Sequence, residues 1–469
     1  MVHTMAEATK AAELKEQLTY KRTNYYDKAN EADITAAYDY SIGYSAFLDK
    51  AKTEREAVRT VVEMAEKEGY KPYTFGQKLT AGGKYYYNNR GRSLYLFRIG
   101  SEALENGIRI AASHIDSPRI DVKQVPLYED NGFAFFKTHY YGGIRKYQWV
   151  ATPLSLHGVV ALKDGSSVEV VIGEDDSDPV LYINDLLPHL AREQSTKPLG
   201  SAIPAESLNL LVGTLPYEGA DGDAIKLNVL RLLNEKYGIT EEDFLSADLA
   251  AVPAAKARDV GLDRSLIGSY GHDDRVCAYP SITALFETDS SAHTALVILA
   301  DKEETGSDGN TGMKSDIFTD LLFEISAAMG ANLSTVKANS LCLSADVTAC
   351  FDPNFPDVYD PRNSAKINCG VSLSKYTGHG GKGDTSEASA EYIAWVRRIF
   401  AEEGVVWQTA DLGKADVGGG GTVAKYIANH NIDTVDVGVP VISMHAPFEV
   451  VAKSDVYSAH KAFAAFLKK

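Results

Sequence analysis

The sequence predicts an α/β fold in which helices cover both faces of a mostly parallel sheet and a β-rich segment interrupts the chain. Short, nearly all-apolar runs such as "HTALVILA", "NSLCLSA" and "TVDVGVPVISM" alternate with helical stretches such as "SDIFTDLLFEISAAMG". Apolar runs of this kind are typical of strands buried on both faces, and their alternation with helices indicates a parallel sheet. The stretch "LSLHGVVALKDGSSVEVVIGED" instead alternates polar and apolar residues around an Asp-Gly turn, which predicts an antiparallel hairpin.

The length of 469 residues favours two domains rather than one. We expect residues 1–125 and 264–469 to form one discontinuous domain, and residues 126–263 to form a second domain inserted into it. The stretch "REAVRTVVEMAEKEGYK" predicts a helix that ends near Gly69, because its apolar residues recur at helical spacing. "SDVYSAHKAFAAFLKK" predicts a last helix with Ser454 as its N-cap.

Composition excludes several classes of partner. The chain has 64 acidic and 47 basic side chains and a formal charge of -17, whereas nucleic acids and anionic membranes are bound through basic surfaces. Its four cysteines include no C-x-x-C pair, so we expect neither a zinc ribbon nor a disulfide framework, and a reducing, cytoplasmic location. The first residues lack the apolar region of a secretory signal, and no uncharged apolar stretch is long enough to cross a bilayer.

Polar side chains follow the predicted strands where ligands bind in open α/β sheets, beyond the carboxyl ends of the strands. Imidazole and carboxylate groups recur at these places, and they are the nitrogen and oxygen ligands that zinc prefers. The residues are His114 and Asp116 after "IRIAAS", Glu303 and Glu304 after "HTALVILAD", Asp346 after "NSLCLS", His445 after "GVPVISM", and Asp273 and Asp274 in "GHDDRVCA".

Each of these groups also has an ordinary structural explanation. A single histidine after a strand is commonly a hydrogen-bonded structural residue, "GHDD" fits a helix cap, and "KEETGSDGN" fits a solvated turn. Their coincidence at one predicted edge of one sheet favours a metal site. Asp116 supports this interpretation, because residues two apart on an extended chain point to the same side and a carboxylate commonly orients a metal-bound histidine. Asp116 alternatively opens the turn at "DSP".

The ordered motifs of the chain resemble those of the M18 family of metallo-aminopeptidases. These motifs are "SHIDSPR", "ESLNLLVGTLP", "GHDDRVCA", "DKEETGSDG", "SADVTACFDPNF" and "ISMHAPFEV", and the resemblance runs from about residue 80 to the C-terminus. It implies an α/β/α zinc-peptidase catalytic domain interrupted by a β-rich domain used in oligomerisation.

The resemblance further implies two zinc ions per subunit. His114 is expected to bind one ion and Asp346 the other, with Asp273 bridging both and Glu304 and His445 completing the two coordination spheres. The same resemblance makes Glu303 the general base and Asp116 the residue that orients His114. A metal lowers the pKa of its bound water towards ~7, so that a nucleophile is available near neutral pH.

The expected activity is removal of the N-terminal residue from peptides with a free N-terminus by a homo-oligomer, a dodecamer being the size considered. In the family a histidine of the inserted domain reaches the active site of a neighbouring subunit, and "DDSDPVLYINDLLPHLARE" nominates His189. Packing of His189 within its own domain is an equally good explanation. The preferred N-terminal residue stays open, because "KYTGHGGKGDTSEASAEY" and "ADVGGGGTVAKYIA" do not align with the acid-specific members.

Two other functions are compatible with parts of the sequence. "GHGGKG", residues 378–383, matches the G-x-G-x-x-G pattern of dinucleotide-binding proteins, follows a predicted strand and precedes a predicted helix, with Asp411 as the candidate ribose ligand. This pattern would make the protein an NAD-dependent oxidoreductase. The other alternative is a non-catalytic, shell-forming relative, which is disfavoured because every candidate ligand is present.

Overall fold

The computed structural model describes residues 2–288 and 291–469, with residues 2–9 described as backbone only. The helices are α1 (Val2–Leu18), α2 (Glu31–Lys50), α3 (Glu54–Lys67), α4 (Leu199–Ala202), α5 (Ala224–Tyr237), α6 (His272–Phe286), α7 (Ile317–Met329), α8 (Leu333–Asn339), α9 (Ala390–Glu402), α10 (Ala424–Ala428) and α11 (Lys453–Lys468). Within the described ranges, none of these helices combines the length and apolar character needed to cross a membrane.

The strands form one large mixed sheet, one antiparallel sheet and three small sheets. They are β1 (Lys71–Pro72), β2 (Lys84–Asn89), β3 (Ser93–Arg98), β4 (Ile108–His114), β5 (Arg119–Asp130), β6 (Phe133–Tyr141), β7 (Pro153–Ala161), β8 (Ser167–Ile172), β9 (Leu181–Ile183), β10 (Leu210–Gly213), β11 (Ala247–Pro253), β12 (Arg258–Val260), β13 (Leu266–Ser269), β14 (Thr294–Ala300), β15 (Leu341–Ser344), β16 (Thr348–Ala349), β17 (Val371–Ser374), β18 (Gly378–His379), β19 (Trp407–Thr409), β20 (Gly419–Gly420), β21 (Asp433–Gly438), β22 (Pro440–Val441) and β23 (Glu449–Ala452).

The large sheet has the strand order β1-β2-β3-β14-β4-β15-β21-β17-β19. Its centre, β14-β4-β15-β21, is parallel. However, β3 runs antiparallel to both β2 and β14, and β17 runs antiparallel to β21. The pairs β1–β2 and β17–β19 at the two edges are parallel as well. Most neighbouring strands are therefore parallel, as expected, but the antiparallel pairs make the sheet as a whole mixed.

Helices cover both faces of this sheet. Alternate residues of β14 enter two separate apolar cores, with Val297 and Leu299 on one face and Leu296 and Ile298 on the other. Helices α2, α3, α6, α9 and α11 contribute to the first core, and α7, α8 and α10 contribute to the second. This alternation follows from the period of two along a strand, and it explains why β14 is apolar at nearly every position.

The second sheet is antiparallel and has the order β11-β5-β6-β10-β9-β7-β8, with a further pairing between β11 and β7. Its strands lie between Arg119 and Pro253, and its apolar core includes Trp149 and one face of α5. Strand β12, also within the segment 126–263, pairs instead with β13, which pairs with β23 near the C-terminus. The domain boundaries at 125/126 and 263/264 stay a prediction.

The end of α3 and the start of α11 can be compared with their predicted positions. Helix α3 is followed by Gly69 with a positive φ of 83°, which confirms the predicted stop. The N-cap predicted at Ser454 is wrong, because α11 begins at Lys453 with Ala452 as its cap residue. Ser454 is buried and its hydroxyl donates to Oδ1 of Asn368, 2.9 Å away.

A buried polar cluster joins the α2–α3 connection to the antiparallel sheet. Lys52 lies between the two helices, is 3 % exposed, and donates to Oε1 of Glu174 at 2.6 Å and to the carbonyl of Pro253 at 2.8 Å. The same carboxylate oxygen accepts from Ser155 at 2.7 Å and lies 3.0 Å from Nε2 of His157. Burial raises the pKa of Glu174, but the hydrogen bonds from His157 and Lys52 outweigh burial and lower the pKa from 4.5 to about 2.

We predict that Glu174→Gln lowers the free energy of unfolding near pH 7 by about 2 kcal/mol, because the buried ammonium of Lys52 loses its counter-charge. The pKa of Glu174 is lower in the folded than in the unfolded protein. Its stabilising effect is therefore complete above pH 4.5 and disappears as the pH falls towards about 2. Denaturant unfolding of both proteins from pH 7 to pH 3 should show the difference shrinking with acidity.

The matched control is Glu235→Gln, which removes an exposed ion pair with Arg231 on α5. Exposed pairs of this kind contribute little, so this variant should unfold like the parent protein. A Glu174→Gln effect that stayed constant over the pH range would contradict the assignment.

Candidate metal centre and active site

The carboxyl ends of β4, β14 and β15 meet at one edge of the large sheet, as parallel neighbours must. His114 is the last residue of β4, Glu303 and Glu304 follow β14 by three and four residues, and Asp346 follows β15 by two. The sheet thus brings together residues that are far apart in the chain, such as His114 and Asp346, which are separated by 232 positions. The fold thus confirms the topological expectation that these side chains share one edge.

His114 is buried and its ring has a defined orientation. Its Nδ1 donates to the backbone carbonyl of Asp116 at 3.0 Å, and Oδ1 of Asp116 lies 3.3 Å from the same nitrogen. Since a carbonyl can only accept, the proton of the neutral ring lies on Nδ1 and the lone pair on Nε2 is free to bind a metal. Asp116 contacts this nitrogen through its main chain as well as its carboxylate, and its expected role at a metal-bound His114 stays a prediction.

Asp273 lies between the two histidines. Its Oδ1 is 3.0 Å from Nε2 of His114, and its Oδ2 is 3.1 Å from Nε2 of His445. Asp273 and Asp274 have non-helical φ and ψ at the start of α6, and the peptide bond between them is cis. Asp274 points elsewhere, because its Oδ2 accepts the backbone N–H of His114 at 3.3 Å. One carboxylate thus faces two separate imidazoles, which is the arrangement of a bridging ligand.

Two groups of ligand atoms converge around Asp273. Each group has its candidate atoms within 4.8 Å of one another, and the groups are His114, Asp273 and Asp346, and Asp273, Glu304 and His445. Oδ1 of Asp346 lies 4.0 Å from Nε2 of His114, and Oε1 of Glu304 lies 3.5 Å from Nε2 of His445. The structure therefore groups Asp346 with His114, contrary to the expected division of these two residues between different ions, because β15 is the direct neighbour of β4.

The adjacent glutamates are fixed by Asp116. The backbone N–H of Glu303 donates to Oδ1 of Asp116 at 3.1 Å, and that of Glu304 donates to Oδ2 at 3.2 Å. A further group of converging atoms comprises His114, Glu303 and Glu304. The carboxylate of Glu303 thus lies beside both ligand groups without belonging to the pair of triads that share Asp273.

The chemistry of these groups fits zinc. Oδ1 of Asp273 and Oε1 of Glu304 are buried and have no well-formed hydrogen bond among the described residues. Buried carboxylate oxygens are normally satisfied, so buried oxygens that lie beside imidazole nitrogens without a well-formed hydrogen bond indicate a place suited to a cation. Nitrogen and carboxylate oxygen ligands in two triads match the preferences of zinc.

Burial and crowding shift the pKa values of the carboxyl groups upwards. Burial raises the pKa of Glu303 to about 7, against the opposing charge of His114. Burial together with the negative charge of Asp273 holds the pKa of Glu304 well above its usual range, and burial does the same for Asp346. Carboxyl groups with such shifts are typical of catalytic and metal-binding sites.

The pKa values of the two histidines and of Asp273 shift so as to favour the charged forms. Those of the histidines are raised, and that of Asp273 is lowered. Burial lowers the pKa of His114, but hydrogen bonds to Asp116 and Asp273 outweigh burial and hold it well above its usual value. Burial likewise lowers the pKa of His445, but the hydrogen bond to Asp273 and the charge of Glu304 raise it to about 11. These shifts reflect how strongly the surrounding carboxylates favour positive charge at this place.

Sequence reasoning did not identify Glu449. This residue begins β23, is buried, and accepts the backbone N–H of Asp273 at 3.1 Å and that of His445 at 2.7 Å. One carboxylate thus accepts main-chain hydrogen bonds from two candidate ligands. The only signal in the sequence is its place in "ISMHAPFEV", four residues after His445.

A cavity of about 200 Å³ opens onto the candidate ligands. Besides them, its lining includes the glycines of β20 and the following residue, together with Val347, Thr348, Thr377, Thr422 and Met444. Three glycines of the run at 418–421 therefore line the cavity.

The "GHGGKG" segment does not form a dinucleotide-binding turn. Its first two residues form β18, which pairs with β20, and the next helix begins only at Ala390, capped by Ser389. A dinucleotide-binding loop instead leads directly from a strand into the N-terminus of a helix. The structural context that this interpretation requires is absent at residues 378–390.

His189 lies in an exposed loop after β9, outside the candidate ligand groups and outside the lining of the cavity. Its expected role concerns a neighbouring subunit, so its position in one chain leaves that role a prediction.

Comparisons with known proteins identify the family to which the chain belongs. The sequence model of the family described as Aminopeptidase I zinc metalloprotease (M18) matches residues 47–467. A probable M18 family aminopeptidase 1 of Clostridium acetobutylicum is 46% identical over 453 residues, which cover 95% of this chain and 97% of that protein. The corresponding protein of Thermotoga maritima is 42% identical over 454 residues, covering 96% of this chain and 99% of that protein.

Solved structures of similar proteins have the same fold. The crystal structure of an M18 family aminopeptidase from Thermotoga maritima has a TM-score of 0.92 at 42% identity, covering 96% of this chain and all of that one. Aminopeptidase I from Clostridium acetobutylicum has a TM-score of 0.91 at 43% identity, with the same coverage. The chain therefore belongs to the M18 family of zinc metalloproteases, and it is an aminopeptidase.

Proposed function

We propose that this protein is a dinuclear zinc aminopeptidase that removes the N-terminal residue of peptides with Glu303 as general base. The observation that carries the proposal is the position of Asp273, whose two oxygens face two different histidines at 3.0 Å and 3.1 Å. A carboxylate so placed suits two metal ions ~3.5–4 Å apart, the spacing found in hydrolases with paired metals.

The ligand groups divide between two ions that share Asp273. His114 and Asp346 would hold one ion, and Glu304 and His445 would hold the other. Zinc, when bound, acidifies water and polarises a peptide carbonyl, so that hydrolysis proceeds near neutral pH. Asp116 and Glu449 would keep the ligands in place through the main-chain hydrogen bonds described above.

Glu303 is suited to proton transfer. It lies beside both ligand groups without belonging to the two triads that share Asp273, so its carboxylate is placed to exchange a proton with water at the centre. It accepts a proton from the water that attacks the first peptide carbonyl, and it delivers that proton to the departing amine. The surrounding carboxylates attract the free α-amine of the substrate, which restricts cleavage to the N-terminal peptide bond.

The antiparallel sheet is proposed to be the oligomerisation unit of residues 126–263. Large apolar side chains are exposed around its loops, including Leu186, Leu187, Leu190 and Leu215. Exposed apolar surface of this kind is typical of protein interfaces. S. cerevisiae mApe1, which has the same fold with a TM-score of 0.75 and 23% identity, is a dodecamer. A homo-oligomer of this chain, with His189 reaching a neighbouring active site, fits both observations.

The other candidate functions lack comparable support. The oxidoreductase requires a helix N-terminus after "GHGGKG", which is not found there. The non-catalytic relative requires damaged ligands, whereas the complete set converges.

We expect Glu303→Gln to lower kcat by about 10²–10⁴-fold, because the amide cannot accept the proton from water. Zinc content should stay close to that of the parent, since Glu303 is not one of the proposed ligands. Hydrolysis of a panel of aminoacyl chromogenic substrates, with and without a chelator, measures activity, metal dependence and side-chain preference together. The adjacent residue offers a matched comparison, because Glu304→Gln should lose metal as well as activity. Undiminished hydrolysis by Glu303→Gln would exclude its role as base.

We expect the parent chain to contain about two zinc ions and His445→Ala about one, because the second ion would lose its only nitrogen ligand. Metal analysis after equilibrium dialysis, with native mass spectrometry, measures this change. His293→Ala, at a histidine outside the ligand groups, is the control and should retain both ions. Full metal content and full rate in His445→Ala would refute the site.

If His189 serves a neighbouring subunit, His189→Ala should lower activity, and co-assembly with inactive Glu303→Gln chains should restore part of it. In such mixed oligomers one subunit supplies Glu303 and another supplies His189. Arg192→Ala, at an exposed residue of the same loop, is the control. Mixed assemblies that are no more active than either variant alone would leave His189 without this role.

A further inference from the structure

The end of strand β6 reaches from the antiparallel sheet to the candidate metal centre. Residues 141–143, here called the linking segment, comprise Tyr141, the last residue of β6, and two glycines that follow it. Each of the three contacts a different residue of the centre, and none is itself a candidate ligand.

Tyr141 contacts the residue that orients both glutamates. Its hydroxyl donates to Oδ2 of Asp116 at 2.7 Å. The same oxygen accepts the N–H of Glu304, and the other carboxylate oxygen accepts that of Glu303. The guanidinium of Arg119 lies 4.2 Å from the centre of the Tyr141 ring, which restricts the ring in turn. The tyrosine thus fixes the rotation of the carboxylate from which Glu303 and Glu304 are held.

Gly142 leaves room for Glu304. It has a positive φ of 72°, and a Cβ placed on it would lie 3.2 Å from Cβ of Glu304 and 3.3 Å from its Oε2. The side chain of Glu304 therefore packs directly against the main chain of the linking segment, and a side chain added at residue 142 would require Glu304 to shift by a few tenths of an ångström.

Gly143 determines which ring nitrogen of neutral His445 carries the proton. Its carbonyl accepts a hydrogen bond from Nδ1 of His445 at 2.9 Å. Because a carbonyl only accepts, the proton of the neutral ring lies on Nδ1, and Nε2 presents its lone pair towards Asp273. Partners of this kind, which hold the far nitrogen of a ligand histidine, commonly change metal affinity by about 10–100-fold when they are removed.

We propose that the linking segment positions the metal ligands, so that the antiparallel sheet is part of the active centre rather than only an oligomerisation surface. This inference rests on the proposed metal centre. Tyr141 acts through Asp116 on the two glutamates, Gly142 on Glu304, and Gly143 on His445. Two of these three contacts concern the ion held by Glu304 and His445, so the sheet chiefly controls the binding of that ion.

The first experiment compares two tyrosines of the same strand. Tyr141→Phe removes the hydroxyl that donates to Asp116, and Tyr140→Phe removes an exposed hydroxyl one residue earlier. Zinc is titrated into each metal-free protein in competition with a chromophoric chelator. Tyr141→Phe should bind zinc about tenfold more weakly than the parent, and Tyr140→Phe should bind it equally well.

The second experiment compares two glycines that flank strand β6. Gly132 has a positive φ of 86°, and a Cβ added to it would meet no atom within 4 Å, whereas Gly142 has a similar φ and Glu304 in contact. Gly132→Ala and Gly142→Ala therefore share the backbone penalty and should lower the melting temperature of the metal-free protein similarly. Only Gly142→Ala should weaken zinc binding and alter the visible absorption bands of the cobalt-substituted protein.

The outcomes separate this inference from the proposed function. A parent protein that binds no zinc or hydrolyses no aminoacyl substrate overturns the proposed function, and the inference with it. A parent protein that does both, with Tyr141→Phe and Gly142→Ala binding zinc as tightly as their controls, overturns the inference alone. Losses of melting temperature without a change in zinc affinity also overturn the inference alone, since they show a packing role only.

Discussion

Buried negative charge is the constraint on which the candidate site depends. The side chains of Asp273, Glu304 and Asp346 lie at the edge of the sheet with little access to water, and they are close enough to repel one another. An ionised carboxylate in such a place costs several kcal/mol unless a positive charge is nearby. Two imidazoles offer only partial compensation, and they do so by taking up protons. Two divalent cations between the oxygens and the imidazole nitrogens would satisfy every one of these groups, which is why a metal centre explains the arrangement better than a buried ion-pair network.

Two other carboxylates hold this charge cluster in shape through the main chain. Asp116 accepts the N–H groups of Glu303 and Glu304, and Glu449 accepts those of Asp273 and His445. Each binds backbone, whose position the strands and turns fix, and therefore needs no flexible partner. A ligand fixed in this way loses little conformational entropy when a metal binds, since its position is set during folding.

The sequence was sufficient for the candidate ligands because their positions obey a topological rule. His114, Glu303, Glu304 and Asp346 follow apolar runs, and the ends of such runs meet at one edge whatever the details of packing. Strand direction was less accessible. "SLYLFRIG" is about as apolar as the parallel strands at the centre of the sheet. It nevertheless forms β3, which runs antiparallel to β14, because composition does not encode strand direction. The same limit explains the pairing of Asp346 with His114, which depends on the order of strands. Glu449 acts on backbone N–H groups, which leave no pattern in the sequence. The linking segment acts through contacts between distant residues, such as Gly143 and His445, which are 302 positions apart.

The position of the site relative to the cores has a consequence for how the molecule works. The apolar core of the antiparallel sheet is separate from the two cores of the large sheet. Much of what joins the two parts is polar: Lys52 with Glu174, Tyr141 with Asp116, and His445 with the carbonyl of Gly143. Polar contacts are sensitive to small displacements, since a hydrogen bond weakens as its length and angle depart from their preferred values. The metal centre lies where these units meet, and its geometry therefore depends on how both are held. If the chain assembles through the antiparallel sheet, as proposed above, assembly would hold one side of the centre and would thereby influence how its ligands are arranged.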